Sequence, residues 1–433
     1  MRISPGKDHP FSGFLSGLLL LIVFVTAGQA QENTIAIFGS SVANGSGDTT
    51  GAGGYAGLLS RKLALQHWNV INVSRGGDNT TKILPRFDSQ LLPLHPAYVI
   101  IGLSLGNEGI ANSSELVRNR VFEKYRSGML QLIQLCRKNG MNPIVTNCYE
   151  RNDFLPEQYE AVKQMNLIIN TWDVPSVNFL GPLDNGSGNW LSGFDHDRAH
   201  PNYKGHQELF YSFVPSLFDA IKAGKPVPQK IRSSSYMVVS GPESISPLSF
   251  IPDDTIHSFS LCFLVKTGND GVIAAIIGDK NSYIEVKKGK IEYHAVNGEI
   301  LSTDTTSENK GWQYLAVSHQ YASGLTLFYV NGKLAGKVAE LIDPKKMVIG
   351  GSAGIEADGA PQTAGYKDVL IYRSTLNSDE VKALYYNQLL QSSLEIYAPL
   401  NDAEFKAGTS ATNYAQSLSK LIIQGNTNKH AEE

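Results

Sequence analysis

Cysteine is scarce. Cys136, Cys148 and Cys262 are the only three in 433 residues, which excludes a dense disulfide framework. They are odd in number and fall in segments that read as helix, strand and strand, so buried free thiols are expected. Excess charge of either sign is also missing. With 37 basic and 40 acidic residues and a formal net charge of −3, the chain has no basic field for a phosphate backbone, and nucleic acid is not an expected partner. There is no tandem repeat and no low-complexity tract. A hydrophobic fraction of 42% with 18% charged residues is ordinary globular composition, and the length points to two domains. Glycine, at 41 residues, is plentiful.

A membrane span needs about 20 apolar residues, and the run from Phe14 to Val25 is shorter. Arg2 and Lys7 precede it and the small residues of Ala27-Gly28-Gln29-Ala30 follow, the layout of a secretory signal peptide cleaved near Ala30. No cysteine follows to accept a lipid. Cleaved or retained as an anchor, the segment implies that the remainder is exported, secreted or periplasmic, with no stable span after cleavage.

From Thr34 to about Ala223, short continuous apolar runs alternate with helix-length amphipathic stretches. The runs are 35–38, 70–73, 98–103, 143–146 and 177–180; the stretches lie near 54–67, 115–138, 156–172 and 203–222. Continuous apolarity marks strands buried on both faces, and strand–helix alternation implies a parallel sheet in a three-layer, flavodoxin-like α/β sandwich. Ligands bind such sheets beyond the carboxyl ends of the strands. After the Pro226-Val227-Pro228 linker the texture becomes β-rich, with strands expected at 236–239, 259–265, 283–286, 290–293, 314–317 and 325–330. Asn331-Gly332 is a type I′ hairpin signal, and short strands with frequent turns indicate a β-sandwich.

The first three strands each lead into a loop with a chemically useful group. Phe38-Gly39-Ser40-Ser41-Val42-Ala43-Asn44-Gly45 puts a serine on a strand-to-helix turn. Asn72-Val73-Ser74-Arg75-Gly76-Gly77-Asp78-Asn79-Thr80 offers glycine N–H groups for close approach to a ligand. Leu105-Gly106-Asn107-Glu108-Gly109 brings a side-chain amide to the same edge. Downstream, Asp197-Arg198-Ala199-His200-Pro201-Asn202 sets a carboxylate three residues before an imidazole, close enough to orient its ring.

These four blocks, in this order, resemble those of the SGNH hydrolases, also called GDSL esterases, over residues 33–222. The resemblance implies that Ser41 is the nucleophile, that His200 held by Asp197 is the general base, and that the N–H groups of Ser41 and Gly77 with the Asn107 amide form the oxyanion hole. Gly76 is the alternative register for Gly77. Acyl transfer of this kind needs no metal and no cofactor. Two positions depart from the family pattern: Ser40 stands where the family has Asp, and Glu108 where it has Asp after the asparagine. Asp195 and His196 compete with the chosen pair, but position 193, three before His196, is Gly193. Glu150 and Arg151, just past the fourth strand, sit on the same edge and read as a solvated loop pair ahead of a substrate contact.

The second half resembles a laminin-G-like, concanavalin-type jelly roll. Gly311-Trp312-Gln313-Tyr314, the hairpin at 325–332, the strand and short helix of 366–381 and a final strand at 394–400 carry this resemblance. Such domains often bind glycans, sometimes with calcium, but Asp254, Asp270 and Asp368 have no metal-like spacing. Trp312 reads as a core residue ahead of a sugar-stacking platform. The expected organisation is a signal peptide at 1–30, a hydrolase domain at 31–224, a linker at 225–231 and a β-sandwich at 232–433, whose last thirty or so residues have no readable structure. The expected function is ester hydrolysis, foremost O-deacetylation of a carbohydrate. A lipase, lysophospholipase or thioesterase of the same fold, and an inactive glycan-binding protein, are the rival readings.

Overall fold

The five apolar runs form a parallel sheet, four of them buried on both faces and the run at 70–73 a partly exposed edge rather than a doubly buried strand. In the computed structural model, which describes residues 1–2, 31–239, 248–306, 311–351, 363–425 and 427–431, the strands are β1 (Gln31–Gly39), β2 (Asn69–Asn72), β3 (Pro96–Gly102), β4 (Asn142–Thr146) and β5 (Ser176–Val177). Nearly all of the expected signal peptide lies outside the described residues. Among those residues no helix is long and apolar enough to cross a membrane. The strand order is β2-β1-β3-β4-β5, all parallel, the flavodoxin-like order.

Alternate residues of one strand enter opposite cores. Ala36 and Phe38 of β1 pack with Met129 and Leu132 of α4 (Glu115–Lys138) and Val162 of α5 (Pro156–Ile169). Ile35 and Ile37 pack with Leu59 of α1 (Gly54–Ala64), Leu209 of α6 (Tyr203–Tyr211) and Phe218 of α7 (Leu217–Lys222). Two short helices, α2 (Thr80–Ile83) and α3 (Leu105–Glu108), follow the second and third strands.

Two elements are shorter than their sequence patterns suggest. The fifth strand stops after Val177 because the Asn178 side chain accepts the N–H groups of Leu180 and Gly181, both at 3.1 Å, and folds the chain into a turn. The final helix expected over 203–222 breaks between Tyr211 and Leu217, where Pro215 lacks the N–H that a continuous helix needs.

The second half is an antiparallel sandwich. One sheet runs β17 (Lys333–Ala339), β16 (Leu325–Val330), β15 (Gln313–Gln320), β10 (Phe259–Thr267), β19 (Ala364–Tyr372), β8 (Ser235–Val239), β23 (Asn428–Ala431), with β20 (Leu394–Ala398) also paired to β19. The other runs β14 (Ile300–Thr306), β13 (Lys290–His294), β12 (Ser282–Lys287), β11 (Gly271–Ile277), β18 (Lys346–Ile349), β9 (Leu248–Phe250), β22 (Leu421–Ile423), β21 (Ser410–Ala411). Their inner faces share a core that includes Leu261, Phe263, Ile284 and Phe328. Asn331 and Gly332 both have positive φ, 51° and 73°, as the hairpin requires. The strand at 394–398 is not the last, because β21, β22 and β23 follow it and extend both sheets. The three cysteines are free and buried; Cys148 lies just past β4 rather than in a strand.

The two halves meet through buried polar groups. The Asn170 side-chain oxygen accepts the N–H groups of Gln391 and Ser392 at 2.7 and 2.9 Å, and the Asn178 N–H donates to the Ser393 hydroxyl at 2.8 Å. Glu380, which caps α8 (Ser378–Tyr385), accepts from Asn178 Nδ2 at 3.1 Å. Burial pushes the Glu380 carboxyl up to about 7 from 4.5, against the lowering effect of its hydrogen bonds. The folded state therefore favours the protonated form. This contribution is complete below about pH 4.5 and is lost as pH rises through about 7. Thermal melts between about pH 5 and 8 should show stability falling with pH, and Glu380→Gln should flatten that slope. Equal slopes in the two proteins would contradict this account of the junction.

Candidate active site

The structure brings the groups from the first and fourth blocks together at the carboxyl edge of the parallel sheet. Ser41 follows β1 directly, where a side chain at Gly39 would meet the Gly102 carbonyl at 2.3 Å. Only glycine lets β1 and β3 approach this closely, and the approach fixes the start of the turn through Ser40 N–H donating to Gly102 O at 2.9 Å. Ser41 Oγ lies 2.9 Å from His200 Nε2.

His200 and Asp197 sit on a two-stranded hairpin, β6 (Asp195–Asp197) and β7 (His200–Pro201), in register with each other. Asp197 Oδ1 accepts the N–H groups of Ala199 and His200 at 2.7 and 3.0 Å, and both carboxylate oxygens lie 2.9 Å from His200 Nδ1. Burial raises the Asp197 pKa, but these hydrogen bonds outweigh it and hold the carboxyl below its ordinary value. An ionised Asp197 accepts from Nδ1–H, which leaves the Nε2 lone pair facing Ser41.

Sequence reasoning missed three contacts that hold the hairpin, the serine loop and the elements around them. A Cβ at Gly47, whose φ is +96°, would meet the Pro201 carbonyl at 2.1 Å. Buried His206 donates from Nε2 to the Ser46 carbonyl at 3.0 Å and accepts the Tyr55 N–H on Nδ1 at 3.3 Å; burial lowers its pKa, consistent with a neutral ring. The Asn152 side chain donates to Asp195 at 3.1 Å, tying the loop after β4 to the hairpin. No local sequence pattern names the partners in any of the three.

The second and third blocks are also joined. Asn107, on α3, donates from Nδ2 to the Asp78 carbonyl at 3.0 Å, and its own carbonyl accepts from Asn79 Nδ2 at 3.4 Å. One N–H of that amide remains for a ligand. Gly77 is exposed with φ +77° and open space around its Cα, while Gly76 is the residue whose Cβ would approach the Ser41 Cβ, at 3.9 Å. Asp78 is anchored by a buried ion pair with Arg86. Glu108, at one position that departs from the family pattern, accepts from Thr80 N–H and Oγ1 at 3.0 and 2.9 Å and pairs with Lys124 at 2.9 Å. Ser40, at the other, is fully buried.

Glu150 and Arg151 are not a solvated pair. Glu150 is fully buried with no hydrogen bond to its carboxyl among the described residues; burial, then the Asp184 charge, raises its pKa well above the ordinary range. Arg151 packs over Gly106 and makes a two-pronged ion pair with Asp153, both contacts at 2.8 Å. Trp312 is partly exposed rather than a core residue, with Lys367 Nζ 4.3 Å above its ring.

Residues 37–208 match the model of the GDSL-like Lipase/Acylhydrolase family, and residues 247–382 that of the Concanavalin A-like lectin/glucanases superfamily. The chain thus carries a GDSL-like acylhydrolase domain followed by a concanavalin A-like domain. No curated protein matches the sequence. Similar solved structures include the psychrotrophic esterase EstA from Pseudoalteromonas sp., with 21% identity over 44% of this chain and 98% of that one, TM-score 0.34. A GDSL-like lipase from Bacteroides thetaiotaomicron VPI-5482 has 14% identity over 45% and 89%, TM-score 0.33. A Bacteroides ovatus ATCC 8483 protein provisionally described as carbohydrate binding has 14% identity over 46% of this chain and 60% of that one, TM-score 0.35.

The backbone approach at Gly47 makes a specific prediction. Gly47→Ala should force the serine loop off the hairpin, destabilise the fold by about 1–3 kcal/mol and open the Ser41–His200 hydrogen bond in a crystal structure. Gly51→Ala, with φ +78° but nothing near its Cα, should cost only about 1 kcal/mol and leave that contact intact. An unchanged contact in Gly47→Ala would overturn this account of how the loops are held.

Proposed function

We propose that the chain is an exported serine esterase that removes an O-acyl group, foremost acetyl, from a carbohydrate. The observation that carries the esterase reading is the continuous hydrogen-bonded line from Asp197 through His200 to Ser41, 2.9 Å at each step. In this reading His200 Nε2 takes the Ser41 proton as Oγ attacks the ester carbonyl. The negative oxygen that forms is met by the Ser41 and Gly77 N–H groups and the free Asn107 N–H. His200 then gives the proton to the departing alcohol and activates the water that releases the acid. Asp197 holds the ring in the required tautomer and offsets the charge it gains.

The carbohydrate assignment is supported by the accessory domain, whose superfamily description includes lectins and glucanases. Such a domain would keep a polymer near the serine and raise its local concentration. The signal-like N-terminus supports export, to where such polymers are met.

The test is acetate release from a panel of acetylated polysaccharides, run beside nitrophenyl esters of increasing acyl length. The proposal expects release from at least one polysaccharide, activity falling with chain length, and no activity in Ser41→Ala. Asn107→Ala should lower kcat by roughly 10²–10³, about 3–4 kcal/mol of barrier. Rates that rise with acyl length would favour a lipase or thioesterase. Activity that survives in Ser41→Ala would refute the site, and an inactive wild type would favour a glycan-binding role.

A further inference from the structure

Among the described residues, a single group of three potential metal donors lies close together: Glu285, Glu292 and His294, with donor atoms within 4.8 Å of one another. It belongs to the second sheet of the sandwich, and nothing in the ester-hydrolysis reading uses it. Glu285 of β12 stands directly opposite Glu292 of β13 in the antiparallel register. Two carboxylates facing each other across strands repel and destabilise the pair. Here the repulsion is sharpened by burial, because Glu285 is only 3% exposed. The neighbouring cation, Lys287, reaches Glu285 only at 3.8 Å and is itself 42% exposed.

The imidazole completes a set of donors. His294 Nε2 lies 2.8 Å from Glu285 Oε1 and 3.5 Å from Glu292 Oε2, and it is buried without a well-oriented hydrogen bond. A tetrahedral zinc ion with bonds of about 2.0–2.2 Å needs its donor atoms roughly 3.3–3.6 Å apart; the His294–Glu292 spacing meets this, and small side-chain shifts bring the rest of the group, within 4.8 Å, to it. The donors are also held in place. Tyr283 stacks on the His294 ring with centroids 4.4 Å apart and 7° between planes, and the Ser302 hydroxyl donates to Glu292 Oε1 at 3.2 Å. Supporting contacts of this kind orient ligands before a metal arrives.

We propose that Glu285, Glu292 and His294 form a binding site for a divalent transition-metal ion of the zinc class. One nitrogen and two carboxylate donors suit zinc, while calcium demands six to eight oxygens. Water fills the fourth position. The ion replaces carboxylate repulsion with coordination and clamps β12 to β13. The site is independent of the serine esterase reading.

The test is titration of the metal-stripped full-length protein with Zn²⁺, by calorimetry and by thermal melting. Wild type should bind one ion per chain at this site and melt at a higher temperature with it, since a ligand of the folded state stabilises that state. His294→Ala and Glu285→Gln should lose at least about tenfold in affinity, whereas His200→Ala, which removes the imidazole beside Asp197 in the first domain, should keep it. If His294→Ala fails to fold, Glu292→Gln, at the more exposed end of the group, gives the same comparison. Zinc binding equal in wild type and the site variants, no binding at all, or loss of the ion in His200→Ala would each overturn the proposal.

Discussion

A hydrogen bond between residues 159 positions apart organises the first domain's candidate site: His200 Nε2 to Ser41 Oγ. Neither loop could hold it alone. The serine turn is fixed by the close passage of β1 and β3 at Gly39, and the histidine hairpin by the Asp197 carboxylate folding back on its own backbone. What joins them is the glycine at 47, which allows backbone to rest on backbone at Pro201, while the His206 ring ties Ser46 of the serine loop to Tyr55 of α1. The parallel sheet supplies the common edge. Its central strands are buried on both faces, while β2 is a partly exposed edge strand.

Much of this was legible in the sequence because the signals are local. A continuous apolar run reads as a doubly buried strand without knowledge of its neighbours, and Asn331-Gly332 reads as a turn from two residues. The unread strands include two instructive kinds. β14, β21 and β23 are polar sheet edges whose pairing is decided by partners far along the chain, as when β23 pairs with β8. β11 is a continuous apolar run buried along nearly all its length, so it lacks the alternation expected of a half-exposed sandwich strand. Among the site residues, the four blocks could be recognised, but the Gly47–Pro201 approach, the bridging role of His206 and the burial of Glu150 depend on three-dimensional neighbours that no local pattern encodes.

The two domains are joined by more than a linker. Asn170, Asn178 and Glu380 form buried hydrogen bonds across the junction, and at another point of it Glu208 meets His257 at 2.8 Å while Tyr211 and Tyr321 lie on the two sides of that ring. Buried polar contacts demand a defined geometry, because each group left unpaired costs about 1–3 kcal/mol. The sandwich therefore has a fixed orientation towards the hydrolase-type domain. Within the sandwich, the fully buried pair of Arg373 and Glu395, 2.6 Å apart, imposes a similar constraint.

The central claim is that Ser41, activated by His200, is the reactive centre. The most direct measurement is mass spectrometry of the intact protein and its peptides after reaction with a fluorophosphonate. The account predicts a single adduct, on the peptide containing Ser41, that is absent from His200→Ala. An adduct on another residue, or labelling of Ser41 that does not depend on His200, would contradict it.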